Sequence, residues 1–199
     1  MNKLIGFTHA SAELHEDIMT CQMCAPHLPL APKPIIQFNP AARILIAGQA
    51  PGLRAHQSGR PFDDASGDRL RDWLGLSPAQ FYDPQLLAIL PMGFCYPGKG
   101  PSGDNPPYKE CATTWRRPLL KQLSQLSLTL VIGQYALAYH VGAHKGSLTE
   151  QVRQQALDET TLILPHPSPR NNIWLKKNPW FELEILPALK QKVQLAISV

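Results

Sequence analysis

The stretch Arg43-Ile44-Leu45-Ile46-Ala47-Gly48-Gln49-Ala50-Pro51-Gly52 decides the fold of this chain. Its first half is a short, continuous apolar run rich in β-branched residues, the pattern of a strand buried on both faces of a parallel sheet. Its second half turns on two glycines and a proline. Such a loop lets the backbone come close to whatever lies beyond the strand end. Working outward, three more runs of the same kind occur at 86–90, 128–132 and 161–164. Helical spacing separates them. Leu70, Trp73 and Leu74 share a face in 68–76, and Trp115, Leu119, Leu120 and Leu123 share one in 115–126. Shorter helices are expected at 134–141 and 148–157. A closing helix over 180–197 carries Leu183, Leu186 and Leu189, and an opening one over 1–20 carries Leu4, Phe7, Leu14 and Ile18. Strands alternating with helices imply a parallel sheet covered on both faces. The expected fold is α/β, a three-layer αβα arrangement around a four-stranded parallel sheet, with one domain over residues 1–199.

Composition narrows the function classes. Of 199 residues, 44% are hydrophobic and 17% charged, which is globular rather than disordered. The 20 prolines are about twice the usual share, and they exclude a helical bundle because interior proline breaks helices. A net charge of +4 permits a nucleic-acid partner without requiring one. No apolar run is long enough to span a bilayer. Residues 1–16 lack the apolar run and small-residue cleavage site of a secretory signal. A monomer in the reducing cytoplasm is therefore expected, and its four cysteines read as metal ligands or thiols rather than disulfides.

The most unusual residues follow the strands, where open α/β sheets bind ligands. His166-Pro167-Ser168-Pro169 follows the fourth strand, and its prolines stiffen a histidine and a serine able to meet a phosphate. A rigid loop with a surface histidine would read the same way. Gly59-Arg60-Pro61-Phe62-Asp63-Asp64 lies downstream of the first loop. Phe62 there is either a lid on the core or a stacking face for a ligand, and Asp64 doubles as a candidate helix cap. Cys21-Gln22-Met23-Cys24, Cys95 and Cys111 make four thiols, suited to a [4Fe–4S] cluster or to tetrahedral zinc. The motifs GxGxxG and GxxxxGK[ST] are absent, which argues against a nucleotide hydrolase of the usual phosphate-loop kind.

In combination these loops resemble the uracil-DNA glycosylase superfamily, from about Cys21 to the C-terminus. Gly48-Gln49-Ala50-Pro51-Gly52 is similar to the family's first motif. Gly59-Arg60-Pro61-Phe62 is similar to the segment whose phenylalanine stacks on the extruded base. His166-Pro167-Ser168-Pro169 with Arg170 is similar to the second motif, whose histidine faces the base. The two-plus-two cysteines are similar to those of the iron–sulfur branches. The resemblance implies a DNA glycosylase of base-excision repair, acting on uracil or another deaminated base in DNA. It implies base contacts from Gly48, Gln49, Ala50, Phe62, Phe94 and His166. Pro51, Gly52, Ser168, Arg170, Lys176 and Lys177, with Trp174 between them, are expected to hold the DNA backbone. Cys21, Cys24, Cys95 and Cys111 are expected to carry a structural [4Fe–4S] cluster, with zinc as the alternative.

Two departures make this a divergent member. The first motif lacks its usual carboxylate, since Gln49 stands there and an amide cannot act as a base. Another branch takes its aspartate from a GDASG-like segment, which Asp64-Ala65-Ser66-Gly67 matches. The expected catalytic set is therefore Asp64, His166 and Gln49, with Asp63 as rival to Asp64. Pro91 stands where the four-cysteine branch has an asparagine, so Gln49, Phe94 or backbone near Met92-Gly93 must read the base. A catalytically reduced or inactive uracil-DNA-binding protein on the same fold is the competing reading.

Overall fold

A computed structural model describes residues 9–101, 103–142 and 146–198. The four apolar runs form strands β1 (Ile44–Ala47), β2 (Leu87–Ile89), β5 (Leu128–Ile132) and β6 (Thr161–Leu164). They pair in parallel in the order β2-β1-β5-β6. A two-stranded antiparallel hairpin, β3 (Lys99–Gly100) with β4 (Gly103–Asp104), stands apart from this sheet. Helices α1 (His9–Met19), α2 (Leu53–Ser58), α3 (Ala65–Leu74), α4 (Pro78–Phe81), α5 (Lys109–Cys111), α6 (Arg117–Leu120), α7 (Gly133–His140), α8 (Leu148–Gln154), α9 (Asn172–Lys177) and α10 (Leu186–Ile197) surround the strands. The expected αβα sheet fold is present. Leu4 and Phe7 of the opening helix lie outside the described residues.

Successive side chains of a strand face opposite ways, and the core divides accordingly. Ile44 and Ile46 of β1 join Leu87 and Ile89 in a cluster that includes Trp73, Leu74, Phe181 and Leu189. Leu45 joins Ala88 and Leu90 on the other face, with Ile18, Phe38 and Leu119. Among the described residues, no helix is long and apolar enough to cross a membrane.

Proline shapes the helices in a way periodicity does not report. A π-helical turn at Ala112–Arg116 precedes α6, and another at Phe181–Ile185 precedes α10. Pro118 and Pro187 follow them. A proline offers no N–H and crowds the carbonyl four residues back, so the helix widens by one residue upstream. That extra residue rotates the phase. Leu183, expected on the buried face with Leu186 and Leu189, is 74% exposed instead, whereas Phe181 and Ile185 are buried.

Candidate active site

The chain leaves β1 toward β2 on one side, then adds β5 and β6 on the other. Loops diverge at such a switch point and leave a crevice beyond the strand ends. A cavity of about 670 Å³ opens there, lined by residues after β1, β2, β5 and β6 and by the β3–β4 hairpin. This lies within the range of small-molecule sites. Gly48, Gln49, Ala50, Pro51, Gly52, Phe62, Asp64, His166, Ser168 and Arg170 all line it.

His166 is held by its own loop. The Ser168 amide donates to Nδ1 at 3.2 Å, and the Asn171 side-chain amide donates to the His166 carbonyl at 2.7 Å. Since Nδ1 accepts, the proton of the neutral ring resides on Nε2. Burial holds the imidazole pKa below the ordinary 6.5, against the weaker opposing pull of Asp64 and Asp104. At neutral pH His166 is thus an uncharged N–H donor. The Ser168 amide, by contrast, is engaged with His166 and is not left for a phosphate. The Ser168 carbonyl also accepts from Arg69 Nη1 at 3.0 Å, which ties this loop to α3.

Phe62 has φ +53, unusual for a bulky residue. Its carbonyl accepts from Arg71 Nη1 at 3.3 Å and from the Tyr82 hydroxyl at 3.2 Å. Its ring meets Phe81 edge-on at 6.2 Å and borders the cavity. A methyl group on Gly67 would lie 1.7 Å from the Phe62 carbonyl oxygen, so only glycine fits there. Asp64 fulfils its capping reading: Oδ1 accepts from the amides of Ser66 at 2.9 Å and Gly67 at 3.0 Å. Its rival Asp63 pairs with Arg60 at 2.8 Å and is not among the cavity-lining residues.

The first loop is fixed from two sides. The amides of Met92 and Gly93 donate to the carbonyls of Gly48 and Gln49 at 2.8 and 2.9 Å. Those backbone groups are therefore occupied and do not replace the missing asparagine at Pro91, which itself lines the cavity. Gln49 Nε2 donates to the carbonyls of Asn105 at 2.9 Å and Asp104 at 3.3 Å. Its amide nitrogen joins the loop to the hairpin rather than facing a ligand.

Two expectations need correction. Phe94 is 1% exposed and packs in the core beside Cys111, outside the large cavity. Lys176 and Lys177 end α9 with exposed side chains outside the cavity lining, a placement that leaves the expected contact with the DNA backbone untouched. Trp174 donates its indole N–H to Thr149 at 2.7 Å and packs against Trp180 and Phe181, so it is a structural aromatic. Sequence reading also missed Asp104, Asn105, Gln134 and Tyr135, which line the cavity. Asp104 and Asn105 sit in a glycine- and proline-rich segment with no periodicity to orient them. Gln134 and Tyr135 follow β5 after one intervening residue, Gly133, in the first turn of α7, and that position was a usable signal.

A second cavity is lined by Phe94 and by Cys21, Cys24, Cys95 and Cys111 together. None is in a disulfide. Burial pushes the Cys95 thiol up to about 11 and the Cys111 thiol to about 12, and the neighbouring thiols add to both. The Phe94 amide donates to Cys111 Sγ at 3.2 Å. Trp115 lines the same cavity, and its buried indole N–H has no protein partner among the described residues. Among those residues, no three His, Cys, Asp or Glu side chains converge as they would on one metal ion.

A sequence model of the uracil DNA glycosylase superfamily matches residues 35–190. That span holds the whole parallel sheet, the large cavity with its histidine and phenylalanine, and the last two cysteines. By its sequence over most of its length, the chain belongs to the uracil DNA glycosylase superfamily.

Proposed function

We propose that the protein is a DNA glycosylase of base-excision repair, which hydrolyses the N-glycosidic bond of uracil or another deaminated base in DNA. The observation that carries this is the pairing, in one cavity, of a neutral His166 donor with the Phe62 ring. A base extruded from the stack at a few kcal/mol lies on Phe62. As the glycosidic bond breaks, its electron pair stays on the base. His166 Nε2–H donates to the oxygen where that negative charge grows, a contribution of ~2.7–4 kcal/mol for a well-placed donor. Asp64 faces the oxocarbenium-like sugar with a negative charge. Arg170 and the Ser168 hydroxyl meet the flanking phosphates, and the prolines around them keep that loop rigid.

Cys21, Cys24, Cys95 and Cys111 fit a [4Fe–4S] cluster by their chemistry: four thiols and no carboxylate line one cavity, an amide sits on one sulfur, and the nearby Trp115 indole N–H has no partner among the described residues. When bound, the cluster supplies a structural tie between the proline-rich segment before β1 and the segment after β2. Hydrolysis needs no electron transfer.

A duplex and a single strand carrying one uracil, hypoxanthine or xanthine test the activity. Purified protein is expected to leave abasic sites, and His166→Ala to slow release at least tenfold. No product on any substrate overturns the reading, and tight uracil-DNA binding without release identifies the inactive binder. Protein purified anaerobically is expected to be brown, with about four irons per chain. A colourless, zinc-loaded protein overturns the cluster assignment.

A further inference from the structure

We propose that Asp104, on the β3–β4 hairpin, is the carboxylate that binds the attacking water and accepts its proton. This rests on the glycosylase reading above. Three cavity residues compete for the role. Gln49 has no basicity. Asp64 is oriented by the α3 amides, with Oδ1 accepting two N–H groups at 2.9 and 3.0 Å. The Asp104 carboxylate has no hydrogen-bond donor among the described residues, yet it stands at the cavity rim. Its Oδ2 lies 3.5 Å from the position a methyl group on Gly52 would take, directly against the first loop.

The hairpin is built to hold that position. The Asn105 amide donates to the Gly98 carbonyl at 2.8 Å, and the Asn105 side chain donates to Pro97 at 3.2 Å. Gln49 then reaches across the cavity mouth to the carbonyls of Asp104 and Asn105. The residue that replaces an acid in the first loop thus anchors the segment that brings one. On the far side, Arg170 Nη1 would lie 3.0 Å from a methyl group on Gly103, so hairpin and His166 loop meet over the cavity.

In the step, the C1′–N bond breaks and its electrons leave with the base. The water oxygen bonds to C1′, and one water proton passes to Asp104. That proton then leaves Asp104 for the departing base anion, by way of solvent. One water is consumed, and one neutral base and one abasic sugar are formed. Partial enclosure raises the Asp104 carboxyl above the usual carboxylate value. Arg170, His166 and Lys99 pull it back, and Asp64 adds to the rise. The Tyr96 phenol also faces this carboxylate.

The test is single-turnover base release across pH by wild type, Asp104→Asn, Asp104→Glu and Asp64→Asn. Asp104→Asn is expected to slow release at least a hundredfold, within the range of general-base contributions, with DNA binding changed less than threefold and unfolding unchanged. The acidic limb of the wild-type profile is expected to vanish in Asp104→Asn, shift in Asp104→Glu and persist in Asp64→Asn. An active wild type whose Asp104→Asn variant works within threefold, or keeps the limb, overturns this assignment alone. A wild type that releases no base overturns both this assignment and the glycosylase reading.

Discussion

Phe62 holds a backbone conformation that a bulky residue avoids, and neighbours from three directions keep it there. Arg71 and Tyr82 grip its carbonyl, Phe81 supports its ring edge, and Gly67 leaves room for its oxygen. Strain held by surrounding contacts at the wall of a cavity is the expected sign of a positioned group. Stacking of a base on an aromatic ring is worth ~1–3 kcal/mol, so Phe62→Ala is expected to weaken uracil-DNA binding or turnover about 5- to 150-fold. Phe62→Leu, which keeps bulk without an aromatic face, recovers little of it. Steady-state kinetics on a uracil-containing oligonucleotide checks both. The sequence placed Phe62 correctly in a loop between strand and helix but left two roles open. Core and cavity share it: the ring packs on Phe81 and borders the cavity.

Helix α3 organises the site as an element. Its N-terminus is capped by Asp64, its next turn gives Arg69 to the His166 loop, and its last turn gives Arg71 to Phe62. Gly75 at φ +65 ends it in the left-handed conformation that suits glycine. Loss of an N-cap costs about 0.5–2 kcal/mol, whereas asparagine caps as well as aspartate. Asp64→Ala is therefore expected to lower unfolding free energy by about that amount, and Asp64→Asn to leave it nearly unchanged, by urea denaturation. The capping signal is legible in the sequence itself, because an aspartate precedes a helical apolar face. The arginines are not legible there as positioning groups. The partners of Arg69, Ser168 and Asn172, lie far along the chain, and only the folded sheet brings them together.

Across the whole molecule, Arg116 joins three layers. It is fully buried, donates to the carbonyls of Leu90 and Pro91 after β2, and meets His140 Nε2 of α7 at 2.6 Å. Burial, then the Arg116 charge, lowers His140 to about 4. The unfolded chain takes up this proton near 6.5, while the folded one resists until about 4. The stabilisation is thus complete above pH 6.5 and is lost as pH falls toward 4, with a slope of up to about 1.4 kcal/mol per pH unit. Urea unfolding between pH 7 and 4.5 is expected to show this acid sensitivity, and His140→Gln to flatten it. His166, also lowered by burial, acts in the same direction and leaves part of the slope.

Sequence alone determined the strands of the parallel sheet, their alternation with helices and the loops that carry His166 and Phe62. The physical reason is local: β-branched apolar runs must be buried on both faces, and glycine and proline restrict the turns that follow. Tertiary structure decided which loop residues face the cavity. Phe94 turned inward to the core, Trp174 to its aromatic neighbours, and Ser168 gave its amide to His166. It also brought Asp104 to the rim of the cavity through a hydrogen bond from Gln49, 55 positions away in the chain. No local rule reports such a contact, because its partners become neighbours only when the parallel sheet sets its strand ends side by side.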